Sequence, residues 1–123
     1  MFKDFNVDFA DFEKEFPELS SKYNSTIKNL SGGLTRLVEL YVILKSKTQF
    51  VLLDEPFTHI MPLHIEKIKQ IMSEEKNNKG MLVTDHLYQQ IIDISDNLYV
   101  LAKGKTHLTK TIADIERLGY ARL

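Results

Sequence analysis

Cysteine is absent, and its absence excludes thiolate metal centres and disulfide frameworks while allowing a reducing compartment. An excess of either charge is also absent. The 16 basic and 17 acidic residues leave a formal net charge of -1, which provides no electrostatic footprint for nucleic acid or for an anionic membrane surface. No apolar run approaches the length of a membrane span, and the opening "MFKDFNVDFADFE" is too acidic for a signal peptide, so a soluble, cytoplasmic chain is expected. Internal repeats and low-complexity linkers are missing as well. What remains, 123 residues of which 43% are hydrophobic, is enough for one compact domain but not comfortably for two.

The pattern that is present alternates between helices and strands. Phe2, Phe5, Phe9, Phe12 and Phe16 recur three and four apart, which predicts a helical stripe of rings, divided if at all near Asn6 and stopped at Phe16-Pro17. A stripe that starts at the first residues suggests a chain cut from something longer. Leu37, Val38, Leu40, Tyr41 and Leu44 predict a second helix over 34–44. "FVLL" (50–53) has no alternation, as expected of a parallel strand covered on both faces, and Pro56 ends it. A helix over 62–76 with Pro62 at its first position, a turn at "NNKG" and a second buried strand over 81–84 follow. Beyond these the pattern predicts a helix over 87–94, strands over 98–102 and 106–108 joined through Lys103-Gly104, and a helix over 112–118. Thr111 and Asp114 would cap that last helix and Gly119 would close it. This order is α/β.

In open α/β sheets, ligands sit beyond the carboxyl ends of the strands, which here are followed by Asp54-Glu55 and Asp85-His86. Two carboxylates and an imidazole at one sheet edge suit a magnesium-nucleotide site, with one carboxylate to hold the ion and one to take a proton from attacking water. A strand-end turn cap is the competing explanation for Asp54. Ser31, Gly32 and Gly33 stand before a helix, where unpaired N–H groups and the absence of a Cβ would let a phosphate approach. A cap and a turn would explain that triplet on its own.

Taken together, "LSGGLTR" (30–36), "FVLLDEP" (50–56) and "MLVTDHL" (81–87) resemble the ATP-binding cassette ATPases of membrane transporters: signature motif, Walker B strand with its following glutamate, and switch-histidine loop, in family order. The likeness is close from Asn29 to Gly104. It implies a partial P-loop NTPase-like core, a mostly parallel sheet flanked by helices. Residues 1–44 would be part of the helical subdomain and 45–123 the C-terminal part of the ATPase core. By the same resemblance Ser31, Gly32 and Gly33 would touch ATP held by an opposite subunit, Asp54 would support Mg²⁺, directly or through water, Glu55 would polarise the attacking water, and His86 would stand near the γ-phosphate. Arg36 matches an arginine usual in the signature helix, read as mostly structural. The implied partners are a second nucleotide-binding subunit, head-to-tail, and a membrane-spanning subunit that would hold the pair at the inner face of a membrane. No nucleic acid is expected.

Departures from the family pattern matter too. Leu34 replaces the usual glutamine of the signature, and Met61 replaces the usual aspartate of the loop after Walker B. No G-x-x-x-x-G-K-[ST] phosphate loop exists in the chain, and "GKT" at 104–106 sits where the family has a strand-to-strand turn, so it is given no phosphate role. ATP binding by this chain alone should therefore be weak or absent. A non-catalytic half that lends its signature to a competent partner is the first alternative, and a segment of a DNA-repair or condensin-type ATPase is the second. His59 and His64 lack a third ligand and read as loop polarity, His107 as a lone strand residue, and the acidic clusters around Glu13 and Glu74 as solvated helix faces.

Overall fold

The structure is a computed structural model that describes residue 5, residues 7–22 and residues 32–119. It comprises helix α1 (Phe9–Glu15), a 3₁₀ turn (Pro17–Lys22), α2 (Gly32–Lys45), β1 (Phe50–Asp54), α3 (Pro62–Glu75), β2 (Gly80–Thr84), α4 (Tyr88–Ile94), β3 (Leu98–Ala102), β4 (Lys105–Thr109) and α5 (Ile112–Arg117). Two compact units divide between His86 and Leu87. No helix among the described residues is long and apolar enough to cross a membrane.

In the first unit, β1 and β2 pair in parallel with Phe50 opposite Gly80 and Asp54 opposite Thr84. The α2 helix packs on α3, and the core gathers Leu37, Leu40, Tyr41 and Leu44 of α2 with Ile68 and Ile71 of α3, all at most 1% exposed. Among the described residues the aromatic stripe is helical from Phe9 to Phe12 and ends at Phe16, with a break after Phe5 close to the division expected near Asn6. The α1 helix begins only after Asp8, whose carboxylate caps Ala10 N at 2.9 Å, and Phe5 is 44% exposed. Phe2 and Asn6 lie outside the described residues. Phe12 and Phe16 do enter the core, edge-on to Tyr41 at 5.1 and 6.2 Å between centroids. Burial, reinforced by the carboxylates of Asp11 and Glu15, pushes the Tyr41 phenol well above its ordinary pKa.

Two readings of buried groups change. His64 is not loop polarity: it lies on α3, 6% exposed, within 3.0 Å of Glu18 and edge-on to Phe16. Lys79 is buried, its ammonium donating to the carbonyls of Leu44 at 2.5 Å and Ser46 at 2.6 Å, where it closes the C-terminal end of α2. Glu75 faces both Lys79 and Lys45, so the acidic residues near the end of α3 are engaged in part rather than only solvated.

The expectation that "FVLL" is covered on both faces is not met. Val51 and Leu53 are buried, whereas Phe50 and Leu52 are 56% and 68% exposed, as is Leu82 opposite at 56%. A two-stranded sheet has two faces, and among the described residues of this unit only one is covered. The ring of Phe50 folds over Gly80, where a Cβ would lie 2.6 Å from it.

In the second unit, β3 and β4 form an antiparallel hairpin. Lys103 and Gly104 both take positive φ, 52° and 74°, the backbone a two-residue hairpin turn requires. The "GKT" stretch is thus the turn and the start of β4, as the strand-to-strand reading expects. Thr111 and Asp114 form a reciprocal capping box on α5, and Gly119 (φ 74°) follows its end.

Candidate active site

The carboxyl ends of β1 and β2 lie side by side because the strands run parallel and in register. Asp54 and Thr84 are register partners, and the Thr84 hydroxyl donates to Asp54 Oδ1 at 2.6 Å. One residue further, Glu55 N donates to Thr84 O at 2.7 Å. Glu55 then turns into left-handed backbone, φ 50°, a conformation that costs a non-glycine residue on the order of 1 kcal/mol and so needs support from its surroundings.

That support comes from several directions. Phe57 is 1% exposed, and its N–H donates to Asp85 Oδ2 at 3.1 Å. The Asp85 side chain is itself buried, so this carboxylate holds the loop after β1 while its neighbour His86, 61% exposed, remains available. His86 Nδ1 lies 3.3 Å from Glu55 Oε1 and 3.7 Å from Asp85 Oδ1. Glu55 is half-exposed and Asp54 is exposed, so both carboxylates can be reached from solvent.

From the other side comes α2. Gly32 and Gly33 are already helical rather than preceding the helix, and their surroundings differ. A Cβ on Gly33 would stand 2.9 Å from the carbonyl oxygen of His59, itself left-handed at φ 65°, whereas one on Gly32 would meet nothing within 4 Å. Close backbone packing within this chain therefore explains the bareness of Gly33, and only Gly32 faces open space. One turn on, Arg36 Nη2 donates to the carbonyls of Asp54 at 3.0 Å and Glu55 at 3.3 Å. Ser31 lies outside the described residues.

Asp54, Glu55 and His86 are thus brought together, and Gly33 is tied to the loop that follows them. Two participants are not evident from spacing alone: Thr84, legible only once the register of β1 and β2 is known, and the Arg36 guanidinium behind the carboxylates. Met61 is 62% exposed before Pro62 and gives α3 no side-chain cap. No cluster of three or more His, Asp or Glu side chains suited to a metal ion occurs among the described residues. A lone exposed carboxylate at a strand end nonetheless fits Mg²⁺ of the kind that takes its other ligands from phosphate and water.

No family model matches the chain. The lipopolysaccharide export system ATP-binding protein LptB of Haemophilus influenzae is 37% identical over 83 residues, 67% of this chain and 34% of that protein. LptB of Escherichia coli is 33% identical over 78 residues, 63% of this chain and 32% of that protein. The chain is homologous to the ATP-binding cassette transporter ATPases. It spans about a third of the length of these LptB relatives. The ABC transporter ced-7 of Caenorhabditis elegans is 29% identical over 103 residues, 84% of this chain and 6% of that protein. A solved chain from work on ATP-driven dimerization and DNA-stimulated activation of SMC ATPases has the same fold, with a TM-score of 0.62 at 15% identity over 95% of this chain and 91% of that one. The partial P-loop NTPase-like core expected of a cassette ATPase segment is therefore present, as a parallel strand pair flanked by helices.

Proposed function

We propose that this chain is the C-terminal portion of the nucleotide-binding domain of an ATP-binding cassette transporter, coupling ATP binding and hydrolysis to transport. Residues 1–44 would belong to its helical subdomain and residues 45–123 to its ATPase core. The observation that carries the reading is the contact of Glu55 with His86 at 3.3 Å, beyond the ends of β1 and β2 and beside Asp54.

In this reading Glu55 orients the attacking water and accepts its proton, while His86 holds the Glu55 carboxylate in place and extends toward the γ-phosphate. Asp54, oriented by the Thr84 hydroxyl, is the residue that would hold Mg²⁺. When bound, Mg-ATP supplies the transferable phosphoryl group and the cation that neutralises its charge. Ser31, Gly32 and Gly33 would serve the nucleotide of an opposite subunit, arranged head-to-tail, in an assembly held at the inner face of a membrane by a transmembrane partner. Of the two glycines, Gly32 is the one where an added Cβ would meet nothing within 4 Å, which supports a phosphate approaching there.

A second reading, a non-catalytic half that lends its signature to a competent partner, is favoured by Leu34 and by the exposed Met61 where the family has polar residues. Two variants separate the readings in an assembly that supplies the phosphate loop. If the chain is catalytic, Glu55→Gln lowers steady-state ATP hydrolysis about 10²- to 10⁴-fold. If it only lends its signature, Gly32→Asp, which sets a carboxylate where phosphate would lie, abolishes the partner's hydrolysis while Glu55→Gln leaves it intact. Gly32 is the position to vary, because a side chain at Gly33 would also collide with His59 O.

A further inference from the structure

The geometry points to Arg36 as a positioning residue for Glu55, an inference that rests on the catalytic reading above. Arg36 and Gly33 are three residues apart and share the face of α2 turned to the loop after β1. Gly33 meets that loop at the His59 carbonyl, and Arg36 meets its beginning, where a single guanidinium nitrogen donates to two successive carbonyls, those of Asp54 and Glu55. Successive carbonyls converge on one donor only where the chain turns sharply, and here the turn is the left-handed Glu55 at φ 50°.

The remaining contacts leave this task to Arg36. Thr84 O takes the Glu55 N–H and so fixes the peptide before Glu55, while Asp85 takes Phe57 N and fixes the chain two residues later. The peptide between Glu55 and Pro56 has no N–H to donate, because proline lacks one. Its carbonyl accepts from Arg36 at 3.3 Å and from Thr58 N at 3.4 Å. The charged donor is the stronger of the two holds. It comes from the helix whose first turn carries Gly32, so a displacement of α2 toward or away from a nucleotide moves the backbone of Glu55 with it. Arg36 also lies 3.8 Å from Glu39 one turn along α2, which biases its side chain but leaves Nη2 on the two carbonyls. The guanidinium touches neither carboxylate group of Asp54 or Glu55 in these contacts. Its effect is on where the Glu55 carboxylate is aimed.

Two measurements test this. In the assembly that hydrolyses ATP, Arg36→Gln should lower kcat about 10-fold with KM within about 2-fold, and Arg36→Lys, which keeps a charged donor, should recover most of the loss. Added to Glu55→Gln, Arg36→Gln should cost less than about 2-fold, because a positioning residue has nothing left to position. An equal loss in both backgrounds, or an unchanged kcat, overturns the inference. In the full chain alone, amide hydrogen exchange of Arg36→Gln should quicken about 10-fold or more at Glu55 and Thr58 while Val51 and Leu53, whose N–H groups face β2, keep their protection, which also shows that the fold survives. Unchanged exchange at Glu55 and Thr58 overturns the inference whether or not the assembly is active. Loss of no activity in Glu55→Gln, by contrast, overturns the catalytic reading, and the exchange result still decides whether Arg36 holds the loop.

Discussion

Gly32 and Gly33 occupy consecutive positions in one helical turn and do different work. The Cβ missing from Gly33 leaves room for the His59 carbonyl at a separation of 2.9 Å, and neither partner in that contact is a flexible side-chain end. Gly33→Ala should therefore destabilise the chain by about 1–3 kcal/mol as backbone moves to relieve the overlap. Gly32→Ala, with nothing within 4 Å, should be neutral or stabilise by up to about 1 kcal/mol, because alanine is the better helix residue. Urea unfolding of the two variants beside the parent measures the difference, and equal midpoints would mean that the His59 contact is not close. The family resemblance implies that both glycines face a phosphate. The carbonyl that uses one of them belongs to a residue 26 positions away in the chain (33 to 59), brought there by the turn at Glu55 and His59.

At the scale of elements, what was legible in the sequence is what local chemistry decides. The capping box of α5, the turn at Lys103-Gly104, the proline start of α3 and the stop at Phe16-Pro17 each depend on a few adjacent residues, and each is found where expected. The capping box also titrates. Donations from the N–H groups of Lys110 and then Thr111, with Arg117 alongside, hold the Asp114 carboxyl below its ordinary range. A depressed carboxylate contributes stability that is complete above its unfolded pKa and is lost as pH falls through the lower folded value. Acidification through and below the ordinary carboxylate range should thus loosen α5, seen as lower amide protection factors, corrected for intrinsic exchange at each pH, at Asp114 and Ile115. Asp114→Asn should remove the pH dependence of protection at these two amides. Persistence of the same dependence in that variant would place its origin elsewhere.

Less legible was what depends on neighbours. "FVLL" reads as a strand with two apolar faces, and it is one, but sequence cannot say which face the rest of the chain covers. The register of β1 on β2 was equally out of reach, and with it the pairing of Thr84 with Asp54. His64 looked like loop polarity because its partner, Glu18, lies 46 residues away and only packing unites them.

For the molecule as a whole, the two faces of β1 carry unequal weight in the chain by itself. Leu53 is 4% exposed and Leu52 is 68% exposed, although both are leucines in one strand. Leu53→Ala should cost about 2–5 kcal/mol, whereas Leu52→Ala should stay within about 0.5 kcal/mol. Comparable losses at the two positions would show that the Leu52 face is covered in solution, for instance by self-association. The open face is the one that ends in Asp54, so anything that covers Phe50, Leu52 and Leu82 also comes up to the Asp54 carboxylate.

In the proposed reading, this chain carries the hydrolytic residues of a nucleotide site but no G-x-x-x-x-G-K-[ST] loop to cradle the phosphates. The decisive measurement is titration of Mg-ATP into the purified chain. No saturable binding is expected below about 1 mM, since Asp54, Glu55 and His86 present two carboxylates and one imidazole and no backbone cradle to a polyanion. Saturable binding by the chain alone in the micromolar range would contradict that reading.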